Sequence, residues 1–212
     1  MSASQHEAMA ASEGKKAELH SARYDPGASV KSERCSRGAA ARTGGDEGCW
    51  TSVTSSTAQH LEDAERHQRM AADHRAASQA LRDSEARACV GISVEDRDMS
   101  PFEHREDIAS VEPLTVNAAT RGSSARTVGA VITFRAIPGM TAQWLQRVVD
   151  CHLARNAAVG HDVPEMPLCP LVPRNVTAYV NPTASGFAVS VRSDDADTSR
   201  EVLRRAQALV AR

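Results

Sequence analysis

The sequence predicts an α+β protein: a long N-terminal helical arm followed by a small β-β-α-β-β-α sandwich built on an antiparallel sheet. Three observations carry this. Short runs of alternating apolar and polar residues lie after residue 108, two later stretches carry apolar stripes at helical spacing, and no Pro or Gly interrupts residues 54–90. The resulting division is a disordered tail over 1–53, a long amphipathic helix over 54–91, a charged connector over 92–107 and a small α+β domain over 108–212.

Residues 1–53 are rich in Gly, Ala, Ser and charge, with no sustained period. They offer too little apolar surface to offset the entropy of ordering a backbone. The reading is a tail, or translated sequence upstream of the true start, with Cys35 an isolated thiol. Ser56 and Gln59 match a capping box that opens the helix. Glu62 with Arg66, Glu65 with Arg69 and Asp83 with Arg87 stand at i, i+4, and Gly91 sits where a left-handed cap would end it. Such a helix is about 48 Å long at about 1.5 Å per residue, too long to pack wholly on a small domain. It is expected to serve self-association or a protein partner through residues 57–90.

In the connector, Ser93 is placed to cap a short turn and Pro101 breaks it. Asp96, Asp98, Glu103, His104, Glu106 and Asp107 read as a solvated charged surface. Ile108 to Val116 reads as an edge strand, because Pro113 cannot donate a ladder hydrogen bond. Thr127 to Ile137 is the strongest strand, ended by Pro138-Gly139. Thr141 then caps a helix whose stripe is Trp144, Leu145, Val148, Val149, His152 and Leu153. Prolines 164, 167, 170 and 173 recur every third residue, the polyproline II repeat, so this loop is expected to be extended. Residues 175–180 and 187–192 form a hairpin around Asn181-Pro182 and Ser185-Gly186. A last helix follows Asp194 or Asp195 and buries Val202, Leu203, Ala206, Leu209 and Val210.

Composition narrows the function. The formal net charge is −2, and arginines are interleaved with acids, so nucleic acid is an unexpected partner. No apolar run is long enough for a transmembrane helix, and none near the N-terminus suits a secretory signal. Apolar residues make up 41%, but much of that is alanine, with two Trp, two Tyr and three Phe. Nucleotide-binding, hydrolase-elbow, zinc-protease and C-x-x-C motifs are all missing. The chain reads as non-enzymatic, with no catalytic or cofactor-binding residues.

Two constellations stand out. His60, His67 and His74 repeat every seven residues. Seven helical residues advance about 10.5 Å, so no two of them can share an ion within one helix. They read as one face of a packed or paired helix, with a site between two chains as the alternative. Cys151, His152, His161, Met166 and Cys169 fall within 151–169 and offer ligands suited to copper or zinc. The competing readings are a Cys151–Cys169 disulfide, worth about 3 kcal/mol by loop closure, or inert thiols. Five cysteines leave at least one thiol unpaired in any oxidised form. Asn175-Val176-Thr177 fits a glycosylation sequon but lies in a predicted strand.

Phe134 to Leu145 resembles the start of a heavy-metal-associated domain, where a strand runs into Gly-Met-Thr-Cys-x-x-Cys and a helix. Gly139-Met140-Thr141 is present, but Ala142 and Leu145 stand at the cysteine positions, so the resemblance implies a βα fold and no metal transfer. Residues Arg87 to Val111 and Pro138 to Pro170 are similar to uncharacterised bacterial cell-envelope lipoproteins. That resemblance implies a cell-envelope or periplasmic location, whereas an authentic N-terminus implies the cytoplasm. A lipid anchor would require processing at Cys49, whose preceding Gly44, Gly45, Asp46 and Glu47 are the wrong chemistry for a lipoprotein cleavage site.

Overall fold

Alanines at fixed seven-residue intervals organise the first half of the chain. The computed structural model describes residues 1–36, 48–116 and 125–211, in two compact units, His6–Ala76 and Met1–Gln5 with Ala77–Arg212. The first unit holds most of helix α1 (Ala3–Arg23) and the larger part of helix α2 (Ala58–Ala88), which run antiparallel there, and a two-stranded ribbon joins them. That ribbon is β1 (Ser29–Ser36) with β2 (Gly48–Ser55), in register from Ser29↔Ser55 to Ser36↔Gly48.

The expected disordered tail is therefore corrected over residues 1–36 and 48–53, while its residues 37–47 lie outside the described residues. Ala10 and Ala17 of α1 and Ala64 and Ala71 of α2 are buried, all at heptad spacing. Small side chains let two helices pack closely, so a weakly apolar sequence still finds a partner surface. A reciprocal capping box starts α1: the Gln5 N–H donates to Ser2 Oγ at 3.1 Å, and the Ser2 N–H donates to Gln5 Oε1 at 2.8 Å. Ser56 does not cap α2; its hydroxyl donates to the Ala28 carbonyl instead. Of the expected i, i+4 pairs, Arg69 meets Glu65 at 3.8 Å, but Arg66 turns to Asp63 at 2.8 Å. Gly91 closes the helix end with φ 72°, as a left-handed cap requires.

The second unit holds the β-β-α-β-β-α order read from the sequence. After the short helix α3 (Val94–Asp98), capped by Ser93, come β3 (Ile108–Val116), β4 (Arg126–Arg135), α4 (Ala142–Ala158), β5 (Thr177–Thr183), β6 (Gly186–Arg192) and α5 (Ala196–Val210). The sheet is antiparallel in the order β3-β4-β6-β5. Both edge strands carry a proline, Pro113 and Pro182, where a missing donor is tolerated. Ala130, Ile132, Phe134, Val189 and Val191 face one side of the sheet. Leu145 and Val149 of α4 and Val202, Ala206 and Leu209 of α5 cover them, so both helices lie on that side. Gly129 has φ 152° and a Cβ there would lie 1.9 Å from the Val191 carbonyl, so only glycine fits.

Three sequence expectations change in this unit. The proline repeat is a chain of turns: the N–H groups of Met166, Cys169 and Val172 donate to the carbonyls of Val163, Met166 and Cys169. Pro164, Pro167 and Pro170 each take the second position of a turn, which their fixed φ suits, whereas polyproline II has no internal hydrogen bonds. Asn181 and Pro182 lie inside β5, and the hairpin turns at Ala184-Ser185 because Thr183 pairs with Gly186. Val210 is exposed rather than on the buried face of α5.

Candidate functional site

The five residues of the expected metal cluster take five separate structural jobs. Cys151, fully buried on α4, is bonded to Cys89 just beyond the end of α2, with Cα atoms 4.6 Å apart. The expected Cys151–Cys169 disulfide is thus overturned. Position 151 faces away from the proline-rich turns and toward Ile92 and Val148, beside Cys89. Cys169 is a buried free thiol packed in the main core, and burial pushes its pKa up. Met166 belongs to the same core. His152 is fully buried and donates from Nε2 to the Asp96 carbonyl at 3.0 Å; desolvation holds its pKa below the ordinary value. His161, at φ 64°, donates from Nδ1 to the Val172 carbonyl at 2.8 Å, and burial lowers its pKa as well. Among the described residues, these five do not group as ligands around one point.

Beside them, Asp98, Arg155, Asn156, Asp162 and Glu165 line a cleft of about 280 Å³. Asp98, Arg155 and Asn156 are engaged with neighbours. Arg155 reaches Asp98 at 2.6 Å and Glu85 at 3.5 Å, and Asn156 donates to the Leu171 carbonyl at 3.0 Å. The Arg155–Glu85 pair, with Arg147 donating to the Val90 carbonyl and the Cys89–Cys151 bond, fixes the end of α2 on α4. The cleft is a seam of structural ion pairs.

A second polar seam, unseen in the sequence reading, runs between α1 and α2 within the first unit. His6 meets His74 (Nδ1–Nδ1 3.0 Å), Glu13 meets His67, and His20 meets His60 (Nδ1–Nδ1 3.2 Å). The heptad of α2 histidines is therefore answered by a heptad on α1, and the paired helix is in the same chain. Glu13 is buried, and Lys16 first and then His67 hold its carboxyl below the usual range. The signal was present as His6, Glu13 and His20 one heptad apart, in a segment set aside for lack of apolar residues.

All eight histidines of the chain are engaged by another histidine, a carboxylate or a backbone carbonyl. Among the described residues, these histidine contacts do not include a serine or cysteine side chain. Cys35, expected to be isolated, is bonded to Cys49 across the ribbon, with Cα atoms 4.1 Å apart. That bond occupies the sulfur a lipid anchor at Cys49 would need.

Two disulfides fit an oxidising, extracytoplasmic compartment. Among the described residues no helix is long and apolar enough to cross a membrane. No protein-family model, curated protein or solved structure matches the chain.

Proposed function

We propose that the chain is a non-enzymatic protein of the bacterial cell envelope that binds a partner protein through the β1–β2 ribbon. Histidines 60, 67 and 74 of α2, on the face expected to associate, are met by α1 within the same molecule, which moves the proposed binding surface to the ribbon. The ribbon presents exposed apolar side chains among the described residues. On one of its faces Trp50 pairs across the strands with Arg34, and Val30 lies two pairs further along. Trp50 is 53% exposed and Val30 56%.

An exposed Trp beside an Arg carries the reading, because these are the residue types that dominate binding energy in protein interfaces. An isolated two-stranded hairpin is marginal alone, and the Cys35–Cys49 bond holds this one in shape without a partner. The envelope location rests on the two disulfides and the lipoprotein-like stretches.

The test is photo-crosslinking in intact cells from position 50, with position 94 as comparison, since Val94 is 68% exposed in the other unit. One dominant adduct from position 50, absent from position 94, is expected. Matching patterns from both positions, or none from position 50, would remove the reading.

A further inference from the structure

We propose that His20, His60 and Asp63 form a binding site for a first-row divalent transition ion of the zinc class, clasping α1 to α2 at the base of the ribbon. Of the polar rungs along the helix pair, this one presents three donors to one point: their ligand atoms all lie within 4.8 Å of one another. His20 Nδ1 is 3.2 Å from His60 Nδ1 and 3.7 Å from Asp63 Oδ2. Ligands held about 2.0–2.2 Å from a tetrahedral ion stand about 3.3–3.6 Å from each other. These two of the three edges lie just to either side of that range, and the third is within 4.8 Å.

A simple hydrogen bond between the imidazoles accounts for one edge only. Asp63 Oδ2, at 3.7 Å from His20 Nδ1, lies outside normal N–H···O range, so a hydrogen bond does not account for that edge. Its other oxygen, Oδ1, is held by Arg66 at 2.8 Å. That contact orients the carboxylate from behind, as outer partners of metal ligands do. His6 and His74 meet without a third ligand in the set, and Glu13 with His67 lacks a second imidazole at bonding distance.

The donor set selects the ion. Two imidazoles and one carboxylate suit zinc, nickel or copper(II), leaving one position for water or an incoming ligand. Calcium and magnesium require mainly oxygen ligands. Copper(I) favours sulfur, and none is present here. All three residues are partly buried, so an ion can enter from solvent. His20 lies in the last turn of α1 and His60 in the first turn of α2, so an ion here ties the two helix ends that lead into β1 and β2.

The inference does not depend on the partner-binding reading. Its test is equilibrium dialysis of the full-length, chelator-stripped protein against zinc, with cobalt(II) as a spectroscopic probe. One zinc per chain is expected at micromolar free concentration, with the absorption of a low-coordinate cobalt site. His20→Ala, His60→Gln and Asp63→Asn should each weaken zinc binding at least tenfold while helical circular dichroism is unchanged. His104→Ala, on the exposed pair with Glu106, and Cys169→Ser should bind as the parent does. Absence of bound zinc at micromolar concentration overturns the inference, as does retention of full affinity in the His20, His60 and Asp63 variants.

Discussion

Breaking the Cys89–Cys151 bond is expected to cost about 4 kcal/mol of stability. The two cysteines are separated by 62 residues in sequence, and cross-linking a loop of that length removes chain entropy worth about 4 kcal/mol from the unfolded ensemble. A domain of ordinary stability, about 5–15 kcal/mol, would lose a quarter or more of its margin. Cys151 is fully buried beside Ile92 and Val148. The double variant Cys89→Ala, Cys151→Ala is the cleaner perturbation, because a single change leaves a stranded thiol in that pocket. Guanidinium unfolding followed by circular dichroism, without reductant, should place the double variant far below the parent. Cys169→Ala should lose only about 1 kcal/mol, the scale of one small buried group. Non-reducing peptide mapping should join the peptides of residues 89 and 151. A Cys151–Cys169 peptide, with Cys169→Ala as the costly variant, would refute the reasoning.

Three further outcomes are expected. His152 has a folded pKa below its ordinary 6.5, so the unfolded chain binds the extra proton first; its contribution is full above pH 6.5 and is lost as pH falls toward the folded value. The slope in that window is about 1.4 kcal/mol per pH unit, and an NMR titration of the His152 ring with a midpoint above 6.5 would contradict it. Gly129→Ala drives a Cβ against the Val191 carbonyl and should cost at least about 2 kcal/mol by thermal or chemical unfolding; a neutral change would mean the strand pairing is wrong. Leu171→Ala removes a fully buried side chain and should cost about 2–5 kcal/mol. A loss under about 0.5 kcal/mol, the range of ordinary surface changes, would restore an extended, solvated loop.

Local signals survived folding where one residue settles them with its neighbours. Thr141 caps α4, its Oγ1 accepting from the Trp144 N–H at 3.1 Å, and Gly91 supplies the left-handed end of α2. Pro113 lies on an edge strand, and His152 is the hydrogen-bonded core histidine that its place on the apolar stripe favoured. The candidate site was far less legible. The period of His60, His67 and His74 was visible, but their partners lie 54 or 40 residues away at Glu13 and His20, and 68 away at His6.

The sequence by itself determined the β-β-α-β-β-α order, the extent of the long helix and the caps at Gly91, Ser93 and Thr141, because periodicity, prolines and glycines act over a few residues. Tertiary structure alone decided which cysteines bond, that the proline repeat folds into turns, and that an alanine-rich segment is a helix. Each of those depends on the surface that a residue meets across the fold. A thiol, an alanine or an imidazole has too little directional preference of its own to announce that partner in advance.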